Sequence, residues 1–293
     1  ENSIFHHGGY KLHSKISRKS NQVKTDKLNT TWRKLSTAIY SAPRDGRTHG
    51  GMDIDITKSL EFIEEQKEKG IRITVTHLVA SALGRALGYD IPEMNSFVRR
   101  GKLYPREDVV VMLAINMGGG GEMGSIRIRN AHRKTVFDIA DEIQARVDKT
   151  RAGKMNRSGN TKKYLASIPW PFRSWIFNLI RFITGTLGID IKSLGLGHDT
   201  FGSILLTNIG SHGLTRGTAA LFPGSNLAAV IILGKAEDKP VVRDGEIVIR
   251  TMLPLNGTFD HRISDGYHGG RLAAAAIKYL ENPKLLAKPN SSD

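Results

Sequence analysis

The chain is 293 residues long, with 39% hydrophobic and 24% charged residues, proportions of a globular protein that forms one large domain or two small ones. It has no cysteine, which excludes disulfides, thiolate nucleophiles and cysteine metal sites. The formal net charge of +15, from 43 Lys and Arg against 28 Asp and Glu, favours anionic partners such as nucleic acid, a membrane surface, an acidic protein or a phosphorylated ligand.

In chain order, residues 1–30 are polar and basic and read as an extended N-terminal arm. Glu1 is not a start methionine, so the chain reads as processed or trimmed. Residues 57–69 read as an amphipathic helix with Thr57 as cap, Leu60 and Ile63 on its apolar stripe and Gly70 as stop. A more buried helix follows over 74–87, and 108–116 reads as a strand through Val109, Val110, Val111, Met112 and Leu113. Val136, Ile139, Ala140, Ile143 and Val147 stand at helical spacing within 135–151. Residues 203–208 and 227–233 read as buried strands, and Arg243-Asp244-Gly245-Glu246 is a hairpin turn inside 240–250. A closing helix is predicted over 269–281, ended by Pro283. The sum is a mixed sheet with helices on one side, and no internal repeat.

One segment carries chemistry. A short apolar run, Met252 to Leu255, leads through Asn256-Gly257-Thr258-Phe259 to Asp260-His261-Arg262-Ile263-Ser264-Asp265-Gly266. A histidine at a strand end, with a carboxylate and a glycine four and five residues on, makes a fixed general base: the strand sets the backbone and the turn holds the ring. A packed or surface histidine is the ordinary alternative.

Asp-His-Arg-x-x-Asp-Gly resembles the signature of the dihydrolipoyl acyltransferases, the core components of 2-oxoacid dehydrogenase complexes. Its shorter His-x-x-x-Asp-Gly form is shared with chloramphenicol acetyltransferase. Further segments resemble the same family: Leu205-Leu206-Thr207-Asn208-Ile209-Gly210, the apolar stretch from Leu227 to Gly234 followed by Lys239-Pro240-Val241, Pro92-Glu93-Met94-Asn95-Ser96, and the basic pair Arg33-Lys34. The likeness covers residues 31–286, apart from one insertion.

The resemblance implies an α/β fold of the α+β type: a chloramphenicol acetyltransferase-like mixed sheet flanked by helices, which forms trimers. Residues 31–293 would be the catalytic domain, with the insertion at about 155–200. His261 would take the proton from the thiol of coenzyme A or dihydrolipoamide, and Thr207, in place of a family serine, would donate its hydroxyl to the tetrahedral oxyanion. Asp265 would hold the histidine loop by pairing with Arg33. Gly266 would allow the turn, and Asn208 would support the strand end. Tyr267 and His268 would pack nearby. Coenzyme A enters as acyl-CoA substrate, with the lipoyl group on a separate domain or protein, and no metal is implied. The expected partners are two further copies in a homotrimer, or a larger cage of trimers, and a lipoyl-bearing protein. No specific nucleic acid is expected, since zinc-finger and RNA-recognition aromatic motifs are lacking. The expected compartment is the bacterial cytoplasm, or the mitochondrial matrix if the source is eukaryotic.

The chain departs from the family at two places. Asn116-Met117 and Gly118 to Gly121 replace a Thr-Pro-x-Gly-Leu segment that shapes the ligand channel, so acceptor choice stays open. The insertion carries Ile168-Pro169-Trp170-Pro171-Phe172-Arg173-Ser174-Trp175 and an apolar run to Ile183, with two of the three tryptophans. Subunit contact, a lid, an acyl pocket and peripheral membrane contact through 168–183 are the readings it allows, with Trp170, Phe172, Trp175, Phe177 and Phe182 expected to be buried against a neighbouring subunit or over the acyl channel, and a helix over about 172–184. It is too short and too charged to span a bilayer. The alternatives to an acyltransferase of the complex are a core protein that assembles with weakened chemistry, and a stand-alone acyl-CoA-dependent enzyme with another acceptor.

Overall fold

A computed structural model describes residues 28–29, 46–116, 123–151, 169, 172–191, 197, 199–222 and 224–289. Residues 1–27 of the basic arm, Arg33, the tetraglycine loop and Trp170 lie outside the described residues; the arm expected to reach residue 30 ends earlier, since Leu28 is buried in the core and Asn29 bonds to the Leu103 backbone.

The first strand, β1 (Arg47–Asp55), runs into helix α1 (Thr57–Glu68). Thr57 is the first helical residue and not the cap: the cap position is Ile56, which makes no side-chain cap bond, and Asp55 Oδ1 accepts from the Thr57 amide (3.0 Å) and the Thr57 hydroxyl (2.7 Å). The buried face is Ser59, Phe62 and Gln66, while Leu60 stands 37% exposed. The stripe expected through Leu60 is therefore rotated, because Phe62 sets the phase by packing into the core. Gly70 ends the helix at φ 77°.

Helix α2 (Val75–Arg85) is buried on nearly every side, with Thr74 as its cap, and continues into one π-helical turn, Ala86–Asp90. A hairpin follows, β2 (Ser96–Arg99) with β3 (Lys102–Pro105), then β4 (Val111–Asn116), β5 (Met123–Ile128) and helix α3 (Val136–Arg151). In α3 the predicted spacing holds: Val136, Ile139, Ala140 and Ile143 are buried and Val147 packs beside them. Helix α4 (Phe172–Arg181) falls inside the expected insertion. The C-terminal third supplies β6 (Ile204–Asn208), β7 (Ala229–Leu233), β8 (Glu237–Arg243), β9 (Glu246–Asp260) and α5 (Gly266–Leu280). Asp244 (φ 51°) and Gly245 (φ 86°) make the predicted tight turn between β8 and β9.

The large sheet has seven strands in the order β1-β9-β7-β6-β4-β5, with β8 on β9. It is mixed: β6 lies parallel to β4 and β7, and the other pairs are antiparallel. Strand β9, 15 residues long, serves three neighbours, β8 along its first half and β1 and β7 along its second. Side chains alternate between two faces. Ala229, Ile231 and Leu233 of β7 point into the helix-covered core, while Val230 and Ile232 point to a smaller cluster with Leu221 and Leu227. Among the described residues, the second face is thus covered by loop residues.

Candidate active site

The His261 turn is built by Asp260. Its backbone oxygen accepts from the amides of Ile263 (2.9 Å) and Ser264 (3.0 Å), which closes the turn. Its carboxylate, 6% exposed, accepts from the Arg262 amide (3.0 Å) and from the Arg262 guanidinium (2.6 Å at the shortest). The two residues flanking the histidine are therefore locked together, and the His261 amide donates to the Gly46 oxygen at 2.7 Å. Sequence reasoning assigned loop support to Asp265 and overlooked Asp260. The available signal was an Asp and an Arg two apart, both next to the histidine.

Asp265 has a different visible task. It is the N-cap of α5: its Oδ1 accepts from the amides of Tyr267 (3.1 Å) and His268 (3.4 Å), and lies 2.7 Å from His268 Nδ1. The His268 ring reaches back to the Asp265 amide, completing a capping box. The helix consequently begins at Gly266, three residues before the expected start. Gly266 is not among the positive-φ residues, and a Cβ there would meet nothing, so the freedom expected of it goes unused within the chain. The expected Arg33 partner lies outside the described residues. Removing the cap in Asp265→Ala is expected to cost about 0.5–2 kcal/mol in denaturant unfolding, while Asp265→Asn, itself a good cap, stays close to the parent. A loss of several kcal/mol in the Asn variant would show that an ion pair dominates.

Thr207 sits near the end of β6. It shares the parity of Leu205, so it faces the side away from the helices, partly exposed. Asn208 points the other way. Its amide donates to Thr76 Oγ1 at the start of α2 (3.1 Å), and its Oδ1 accepts from the Ser211 amide (3.2 Å). Asn208 therefore fixes the strand end between helix and following turn, and Thr76 is a supporting residue that sequence reasoning did not find. Next to Thr76, burial and Arg72 hold the His77 imidazole below its ordinary pKa. Gly210 explains itself by close approach, since a Cβ there would stand 2.5 Å from the Gly234 oxygen.

Strand register separates His261 from Thr207. Thr207 aligns with Ile232 of β7, and Ile232 with Asn256 of β9. His261 lies five residues past Asn256, beyond the opposite end of β6, and four of those steps alone span about 13 Å along the strand. Within one chain, His261 and Thr207 occupy opposite ends of the sheet. A groove of about 960 Å³, lined by Lys58, Phe62, Arg85, Tyr279 and Lys284 among others, sits at the far end of α5 from Asp265 and is not part of this site. Among the described residues no group of three or more His, Cys, Asp or Glu is placed to hold a metal ion.

The fold is shared with a chloramphenicol acetyltransferase (TM-score 0.54, 15% identity, covering 86% of this chain and 97% of that one). It is also shared with a probable dihydrolipoamide acetyltransferase of Listeria monocytogenes 4b F2365 (TM-score 0.61, 20% identity, 88% and 91% covered). The cubic core of a pyruvate dehydrogenase multienzyme complex is similar too (TM-score 0.58, 19% identity, 94% and 95% covered). The family described as 2-oxoacid dehydrogenases acyltransferase (catalytic domain) matches residues 24–163 and 192–288, and the chain belongs to that family. In sequence it is 28% identical over 243 residues to the dihydrolipoyllysine-residue acetyltransferase component of the pyruvate dehydrogenase complex of Acholeplasma laidlawii, covering 80% of this chain and 36% of that protein. The chain spans 36% to 49% of the length of the curated relatives it matches.

Proposed function

We propose that the chain transfers acyl groups between coenzyme A and a thiol such as dihydrolipoamide. His261 removes the thiol proton, the thiolate attacks the thioester carbonyl, and the Thr207 hydroxyl donates to the oxyanion of the tetrahedral intermediate. Collapse of that intermediate expels the other thiolate, which recovers the proton from the His261 imidazolium. Asp260 and Arg262 hold the base in place, Asp265 anchors the helix after it, and Asn208 holds the Thr207 strand.

The observation that carries the reading is the rigid Asp260-His261-Arg262 turn in a chain of this family. The separation of His261 from Thr207 adds a condition: one site needs the histidine of one copy and the hydroxyl of the next. The assembly that supplies this is a homotrimer, or a cage of trimers, served by lipoyl groups on another domain or protein. Val242, Ile247 and Ile249, 65–77% exposed on the β8–β9 hairpin, offer apolar surface for association.

Thr207→Val keeps the side-chain shape and removes the hydroxyl. It is expected to lower kcat about 10²–10³-fold with a much smaller change in KM for acyl-CoA, because the bond strengthens as the oxyanion forms. Mixing His261→Ala and Thr207→Val protomers, each inactive alone, tests the shared site. Trimers that contain both restore part of the activity at the interface where both groups are intact, and a sedimenting, fully active monomer refutes it.

A further inference from the structure

Helix α4 and the turn after it present an apolar stripe to solvent. Phe172, Trp175, Leu179 and Phe182 recur at steps of three, four and three residues, which places them on one helix face. They are 64%, 65%, 42% and 53% exposed. The burial expected for these three aromatic residues therefore does not occur within the chain. The family match stops at residue 163 and resumes at 192, so the stripe belongs to no part of the shared catalytic domain.

The described charges beside the stripe are mainly cationic. Arg181 is exposed at the end of α4. The β2–β3 hairpin abuts the same end, with the Arg100 amide donating to the Thr186 oxygen (3.1 Å) and Arg99 Nε to the Leu187 oxygen (3.4 Å). That brings Arg99, Arg100 and the exposed Lys102 beside the helix. From residue 149 to 192 the sequence holds nine Lys and Arg (Lys149, Arg151, Lys154, Arg157, Lys162, Lys163, Arg173, Arg181, Lys192) and one acid, Asp190. The other exposed apolar patch contrasts with it. The β8–β9 hairpin mixes Glu237, Asp238, Asp244 and Glu246 with Lys239, Arg243 and Arg250, a pattern suited to contact between proteins.

We infer that α4 is a membrane-surface helix: its aromatic stripe inserts into the interface of an anionic bilayer while the surrounding cations meet lipid phosphates. Ten residues of helix span only about 15 Å, so α4 lies in the membrane plane and does not cross. Among the described residues no helix is long and apolar enough to span a membrane. A second copy is the weaker occupant, because juxtaposed cationic surfaces repel. The inference does not depend on the acyl-transfer reading.

Flotation of the full chain with vesicles decides the matter, using phosphatidylcholine alone or phosphatidylcholine and phosphatidylglycerol in equal parts. The parent protein is expected to float with the mixed vesicles and not with the neutral ones. Trp175→Ser combined with Phe182→Ser should weaken that binding about tenfold or more, leaving sedimenting mass and acyl transfer unchanged. Because both residues are already exposed, the variant keeps its fold, and Trp175→Ser alone serves if it precipitates. Failure of the parent to float with either vesicle overturns the inference, as does equal flotation with both. A drop in sedimenting mass in the double variant assigns the stripe to contact between copies instead.

Discussion

Replacing His261 with alanine is expected to lower acyl transfer about 10²–10⁴-fold, with little change in unfolding midpoint or sedimenting mass. The turn explains the second half. It is held by the Asp260 backbone oxygen, by the Asp260–Arg262 pair and by the His261 amide to Gly46, none of which needs the imidazole. Release of free coenzyme A from acetyl-CoA, with and without dihydrolipoamide, measures the loss. Near-parent turnover in the variant would remove His261 from the mechanism. A collapse of assembly would show that its ring is structural.

The largest expected stability effect lies elsewhere, at Arg106. Its side chain is 2% exposed and makes three charge-assisted bonds: Nε to Asp199 Oδ1 at 2.6 Å, one terminal nitrogen to the Asn226 oxygen at 2.7 Å, and the other to the Ser96 oxygen. Burial pushes the guanidinium below its ordinary pKa, and Asp199 pulls it back up. Arg106→Met therefore takes the guanidinium from the Ser96 and Asn226 oxygens and from Asp199, which is partly exposed. The expected cost is about 3–5 kcal/mol in urea unfolding. A loss under about 1 kcal/mol would mean that water replaces the cation at all three positions.

Much of this was legible in the sequence where one local rule dominated. The α3 spacing, the Asp244-Gly245 turn and the buried apolar run of β7 each follow from periodicity, composition or backbone preference alone. The histidine turn was legible as a motif, but its construction was not, because Asp265 stands at the position where a carboxylate was expected and drew the argument away from Asp260. The α1 stripe failed for a related reason. Leu60 and Phe62 are both apolar, and only the third dimension says that Phe62 faces the core while Ser59 donates to the Leu280 oxygen at 2.5 Å. The π-helical turn after α2 has no residue signature that separates it from two more residues of ordinary helix. The opposite-end placement of His261 and Thr207 needed strand order and register, which no single segment encodes.

The β1–β9 ladder has a consequence for how the protein comes to life. Arg47 pairs with Asp260, and Gly46 holds the amide of His261. These partners are separated by about two hundred residues of chain, so the contact that seats His261 belongs to the slowest class of folding events, those closing the longest loops. A ribosome-bound chain carrying everything up to β8 has β6 and helices α1 to α4, but neither α5 nor a strand to anchor β1. The seating of His261 then waits for the last strand made, and a truncation from β9 onward removes at once His261, the partner of β1 and the buried face of α5.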